Sequence, residues 1–191
     1  WPYDFNEMGL QKWAENLRAQ LAAPRVSLGL VFMSPRFFDR AKQVLEILRV
    51  HARIPLLAGC SSQSLIVGDH EVEEHAGLTL GLYALPGAEL KAVHLVQSQV
   101  EEANGPAYWH LETGIEPHQT NGWLAFIDPF HLDSETWLKT WNEAYAPLPV
   151  LGGLASGESN QQTTQIYLNG EVYDEGCIAI SQALPDGRRQ I

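Results

Sequence analysis

The chain has 191 residues, 45% of them hydrophobic and 18% charged, with a formal net charge of -11. That charge opposes binding to nucleic acid, where phosphate neutralisation by Lys and Arg dominates affinity, and to anionic membrane surfaces. No apolar run approaches the roughly 20 residues that span a bilayer, and at this length roughly 70% of the unfolded surface can be buried without disulfides or metal.

Asn6 is placed to cap a first helix, in which Leu10, Trp13, Ala14, Leu17 and Leu21 form one apolar stripe that Pro24 ends. The run Val26 to Met33 reads as a buried strand. Ser34-Pro35 follows, an N-cap and a proline at the first helical position, and opens a helix with Phe38, Ala41, Leu45 and Leu48 on its buried face. Pro55 to Cys60 is the next strand. It runs into the small-residue turn Gly59-Cys60-Ser61-Ser62. Leu65 to Val67 is a short strand or turn, Gly68-Asp69 opens a polar connection, and Glu71 to His75 reads as a solvated acidic loop. Leu78 to Leu85 and Leu90 to Val96 read as antiparallel strands joined across Pro86-Gly87. Gln97 to Asn121, punctuated by Gly105-Pro106 and Pro117, reads as a long connection with one helical turn.

A second cycle begins with the strand Trp123 to Ile127 and Asp128-Pro129. Asp133 or Ser134 caps a helix in which Leu138, Trp141 and Tyr145 share a face, and Leu148 to Leu154 is a strand leading to Ala155-Ser156. After a polar loop, Ile166 to Leu168 and Val172 to Tyr173 flank Asn169-Gly170 as a β-hairpin. Cys177 to Ser181 is a further strand, and the tail from Pro185 reads as frayed.

Laid without a gap, Leu28–Ser62 matches Gly122–Ser156 at Pro35/Pro129, Pro55/Pro149, Leu57/Leu151, Gly59/Gly153 and Ser62/Ser156, among others. The matches fall where backbone geometry is demanding, so the fold class is read as α/β. It comprises two pseudo-repeated strand–helix–strand units, about 26–96 and 122–182, with mixed sheets and added antiparallel strands. Ligands of such sheets bind beyond the carboxyl ends of parallel strands. The candidate ligand-binding residues are therefore Ser34, Gly59, Cys60, Ser61, Ser62, Asp128, Gly153, Ala155 and Ser156, with Ser159 as a further hydroxyl. Asp128 has a second reading, as a helix cap acting through Pro129.

The strand ending in Phe32-Met33-Ser34, the element Pro55 to Ser62 and the strand Gly77 to Leu85 together resemble the FIST N-terminal domain. Leu151 to Ser156 and Asn169-Gly170 with Gly176 to Ile180 resemble its second signature. Gln63-Ser64 depart from the small residue and glycine usual after the paired serines. The resemblance implies a ligand-sensing module of bacterial signal-transduction proteins, for amino acids or similar small metabolites, read out by a signalling output protein or domain. In some members it implies haem and nitric-oxide sensing. The family's companion C-terminal domain is not visible, so residues 1–191 read as a single FIST N-like domain.

Two other readings stand beside a cytoplasmic, non-enzymatic sensor without catalytic residues or metal. Cys60 at a strand end suits a nucleophile of a hydrolase or transferase, or a small buried turn residue. The seven histidines show no paired metal spacing, and any one of them suits a haem axial ligand.

Overall fold

A computed structural model describes residues 1–68, 70–73, 75–158 and 161–184. Ser159, Asp69 and the tail from Pro185 lie outside the described residues. In chain order the first elements are α1 (Glu7–Gln20), β1 (Leu28–Met33), a 3-10 helix (Pro35–Arg40), α2 (Ala41–His51) and β2 (Leu57–Ser61). Then come β3 (Ser64–Val67), β4 (His70–Glu73), β5 (Leu78–Tyr83), β6 (Glu89–Leu95), α3 (Gln97–Glu102) and α4 (Pro106–Thr113). A short 3-10 turn (Pro117–Gln119) precedes β7 (Gly122–Ile127), α5 (Ser134–Tyr145) and β8 (Val150–Leu154). The last strands are β9 (Ile166–Leu168), β10 (Glu171–Tyr173) and β11 (Cys177–Ala183).

The chain forms two compact units, each assembled from two stretches of sequence. Among the described residues, the first holds those of Trp1–Pro86 and Ala155–Asp174, the second Gly87–Leu154 and residues 175–184. The mixed α/β character expected from the sequence is present in both.

In the first unit five strands lie in the order β10-β9-β2-β1-β5, with β1 and β2 parallel and the other pairings antiparallel. Strand β1 alternates faces: Val31 and Met33 join Leu10, Leu45, Leu48 and Leu57 in the helix-covered core, whereas Leu30 and Phe32 point the other way. Asn6 caps α1 by accepting from the Gly9 N–H at 2.7 Å. The hairpin β9–β10 turns on Asn169 and Gly170, both at positive φ (51° and 95°), the conformation that Asn-Gly supplies for a two-residue turn.

In the second unit four strands lie in the order β6-β11-β7-β8, with β7 and β8 parallel and β11 antiparallel to both β6 and β7. Its core is aromatic: the Trp141 ring lies 4.8 Å from Trp123, 4.9 Å from Tyr145, 5.0 Å from Trp137 and 5.2 Å from Trp109. These tilted and edge-on contacts add to the area the rings bury.

Four expectations are corrected. β5 and β6 do not pair across Pro86-Gly87, because β5 pairs with β1 and β6 with β11, strands of different units. The stretch from Gln97 carries two helices, since Pro106 stands at the first helical position of α4 and Gly114, left-handed at φ 63°, closes it. Glu71 to Glu73 belong to β4, which pairs with β3, so that stretch is a strand and not a loop. Ser34 and Pro35 do hold the N-cap and first positions, but the Ser34 side chain makes no capping hydrogen bond and the segment they open is a 3-10 helix before it becomes α2.

The two parallel pairs also differ by one residue from the ungapped alignment. Val31 faces Gly59, while Ala125 faces Gly152; Phe32 faces Cys60, while Phe126 faces Gly153. Gly59 and Gly152 share a second property. A Cβ on Gly59 would sit 1.7 Å from the Val31 carbonyl oxygen, and one on Gly152 would sit 1.9 Å from that of Ala125. By register and by this close approach, Gly152 and not Gly153 stands where Gly59 does.

Candidate functional site

The end of the β1/β2 pair is stitched by its own serines. Ser61 donates its N–H to the Gln165 carbonyl at 2.7 Å, its Oγ accepts from the Gln165 N–H at 3.0 Å, and its carbonyl accepts from the Ser156 N–H at 3.0 Å. Ser62 donates its N–H to the Met33 carbonyl at 2.9 Å and its hydroxyl to the Ser64 carbonyl at 2.6 Å. The Gln63 N–H donates to Ser156 Oγ at 2.9 Å. Ser34, next after Met33, is buried and exchanges two bonds with Gly77: its N–H donates at 2.9 Å and its Oγ accepts at 3.0 Å. Seven of the candidates, namely Ser34, Gly59, Cys60, Ser61, Ser62, buried Ala155 and Ser156, thus belong to one sheet end of the first unit. Their polar groups hold loops to strands.

Cys60 is buried and free, and burial pushes its thiol up to about 12. It is therefore un-ionised near neutral pH, and a thiolate is the form that attacks or binds metal.

Asp128 and Gly153 lie in the second unit. Asp128 is wholly buried: Oδ1 accepts from the Phe130 N–H at 3.0 Å, Oδ2 accepts from the His131 N–H at 2.9 Å and lies 2.8 Å from His131 Nδ1. It closes a tight turn of its own and does not cap α5. Asp133 caps that helix by accepting from the Thr136 N–H at 3.0 Å. Gly153 is exposed on β8, and a Cβ there would meet open space.

A cleft that none of these residues lines is present in the first unit, with a volume of about 670 Å³. Leu30 and Phe32 of β1 and Thr79 of β5 form its sheet side. Trp13 and Leu17 of α1, with Trp1, form a second wall. The β3–β4 hairpin supplies Leu65, Val67 and Val72 as a third, with Glu71 as its carboxylate, and Tyr83 stands at the end of β5. An apolar concavity of this size with a few polar groups is the usual form of a small-molecule site. The sequence reading missed it because its walls come from three separated stretches. The one available signal was the alternation in β1, which leaves Leu30 and Phe32 on the face away from the helices.

Among the described residues no group of three or more His, Cys, Asp or Glu is placed to hold a metal ion. Several histidines have protein partners: His131 pairs with Asp128, His51 with Glu15 at 2.8 Å, and His110 lies 3.0 Å from the Ala144 carbonyl. Haem would need an axial donor in the apolar cleft. No His, Cys or Met is among the described residues lining it, and the Tyr83 phenol is the one side-chain group there of a type that ligates haem iron.

The FIST N domain matches residues 27–184. The chain belongs to the FIST N domain family. FIST domains are sensory domains of signalling proteins. An uncharacterized protein of Mycobacterium bovis is 25% identical to this FIST domain over 167 residues, 87% of the chain and 42% of the relative. Two uncharacterized proteins of Mycobacterium tuberculosis are similar over the same shares, at 25% and 23% identity. The chain therefore spans less than half the length of the curated relatives it matches. Among the described residues, no helix is long and apolar enough to cross a membrane.

Proposed function

We propose that this FIST domain is the small-ligand sensor of a cytoplasmic signalling protein, and that the ligand occupies the cleft of the first unit. The supporting observation is the cleft itself: about 670 Å³, largely apolar, with Glu71, Thr79 and Tyr83 as its polar groups. That lining suits a metabolite with an apolar body and a polar end, such as an apolar amino acid or a derivative of one. The serines of the β1/β2 end contribute by holding β1, and with it Leu30 and Phe32, against its neighbours. The un-ionised Cys60 thiol favours a binding role over a cysteine-dependent transfer reaction. The two free cysteines accord with a reducing compartment.

A thermal-shift screen of metabolites tests the reading. A ligand at 100 times its dissociation constant should add about 2.7 kcal/mol to folding stability. That gain should vanish in Phe32→Ala or in Val67→Trp, which fills the cleft from the exposed hairpin. A broad library without any shift on folded protein, or a shift that survives both variants, overturns it.

A further inference from the structure

The β3–β4 hairpin, the third wall of the cleft, pairs with no other strand among the described residues. Its seat is set at two places. Leu65 and Val72 stand opposite each other in its register, and both pack against buried Gly77. A Cβ on Gly77 would lie 2.8 Å from Val72 Cγ1 and 3.3 Å from Leu65 Cδ1. Gly77 itself is held to the sheet, because the Ser34 N–H donates to its carbonyl at 2.9 Å and its own N–H donates to Ser34 Oγ at 3.0 Å. At the entry to β3, Ser156 Oγ accepts from the Gln63 N–H at 2.9 Å, and the Ser156 N–H donates to the Ser61 carbonyl at 3.0 Å. Neither Gly77 nor Ser156 lines the cleft, whereas Leu65, Val67 and Val72 of the hairpin they seat all do.

Resting on the reading of this cleft as the ligand site, we propose that Gly77 and the Ser156 hydroxyl set its width. Gly77 is a specificity-determining residue, because a position without a Cβ lets the hairpin seat close to the sheet. Ser156 is a positioning residue that acts through Gln63. Gly77 is not at positive φ, so an alanine there costs no backbone strain and acts through the contact alone. Its methyl group would meet Val72 closer than packed carbons approach, and the Gly77 backbone is fixed by the pair of bonds to Ser34. The hairpin is therefore the part that moves. Close-packed side chains transmit such a shift instead of absorbing it. The cleft widens, and its preference moves toward larger ligands.

The test uses the full chain and two uncharged aromatic probes, diphenylamine and the larger N-phenyl-1-naphthylamine. The larger is titrated by its fluorescence and the smaller by displacing it. Both should bind the parent, and Val67→Trp should abolish both. In Gly77→Ala the affinity ratio should move toward the larger probe by about threefold or more, part of the roughly tenfold that one methylene's room carries in an apolar pocket. Ser156→Ala should move the ratio the same way, and Ser156→Thr, which keeps the hydroxyl, should restore it. A general loss of stability weakens both probes alike and leaves the ratio where it was. Ser156→Ala frees only an exposed N–H and folds, so it decides the matter where Gly77→Ala yields no folded protein. A parent that binds neither probe, or binding that survives Val67→Trp, removes the cleft reading and this assignment with it. Binding through the cleft with an unmoved or reversed ratio in either folded variant leaves the sensor reading standing and overturns the assignment alone.

Discussion

In β1/β2 Gly59 lies beneath the Val31 carbonyl, and in β7/β8 Gly152 lies beneath that of Ala125. Around that shared approach the two strands part. β2 is flanked by β9 and is buried along its whole length, whereas β8 is the edge of its sheet and exposes Leu151 at 67% and Leu154 at 56%. The glycine answers to backbone spacing between parallel strands and is needed whether or not the strand is buried. The residue after it answers to burial alone: Cys60 in one pair, Gly153 in the other.

The largest effect should come from Gly59→Ala. Its Cβ meets a fixed backbone carbonyl at 1.7 Å, and φ is 158°. Flanked on both sides, β2 has nowhere to shift, so a loss of about 4 kcal/mol is expected in urea unfolding. Gly152→Ala meets a comparable clash, but an edge strand can swing away, and about 2 kcal/mol is expected. Equal losses would show that burial of the strand does not govern how it absorbs the clash.

Next in size is Leu57→Ala, which empties a fully buried core position and should cost about 3 kcal/mol. By register its counterpart is Val150, which faces Trp123 as Leu57 faces Gly29 and is only partly buried. Val150→Ala should cost about 1 kcal/mol. A reversed order would mean that β8 carries packing that its exposure does not reveal.

Cys60 allows a pH test of the same contrast. Burial raises its pKa from 9.0 to about 12, so the folded state holds the proton more tightly than the unfolded state does. Its contribution is complete below about pH 9 and is lost as pH rises toward 12, by up to about 1.4 kcal/mol per pH unit. Urea midpoints between pH 8 and 10.5 should fall less steeply in Cys60→Ala than in the parent. Some slope should remain, because burial also raises Cys177 and Tyr167. Parallel slopes would show that the thiol reaches water in the folded state.

Features set by adjacent residues were legible in the sequence. Asn6 as a cap, Asn169-Gly170 as a hairpin turn and the apolar runs of β1 and β7 each depend on local chemistry, and each is present. Gly105-Pro106 was read as a break because the residues that bound a helix are also those that end one; only a turn of continued backbone bonding distinguishes the two. The partner of β6 was not legible, since β11 lies far along the chain and nothing in Glu89–Leu95 names it. The Gly59 counterpart was undecidable for a simpler reason: Gly152 and Gly153 are adjacent and identical, and a one-residue slip exchanges the faces of the whole strand. The serines were identifiable as strand-end residues, but their partners, Gln165, Gly77 and Met33, were not. The cleft required the β3–β4 hairpin to be placed against β5, which no local pattern encodes.

The smallest effects belong at the exposed edge. Leu151 faces Leu124 in register and is 67% exposed, while Ala58, in the same place on β2, is fully buried. Leu151→Lys should change stability by less than about 0.5 kcal/mol, because a lysine there keeps its ammonium in water. Gly153→Ala meets no atom within 4 Å and should be neutral or stabilise by a few tenths of a kcal/mol, by restricting the unfolded chain. The lysine on β8 should also suppress any concentration-dependent association in sedimentation, because a charge on an uncharged edge strand opposes edge-to-edge pairing. A loss above about 1.5 kcal/mol in Leu151→Lys would mean that β8 is covered in solution, and the contrast between the two strand pairs would then reduce to the single residue after the glycine.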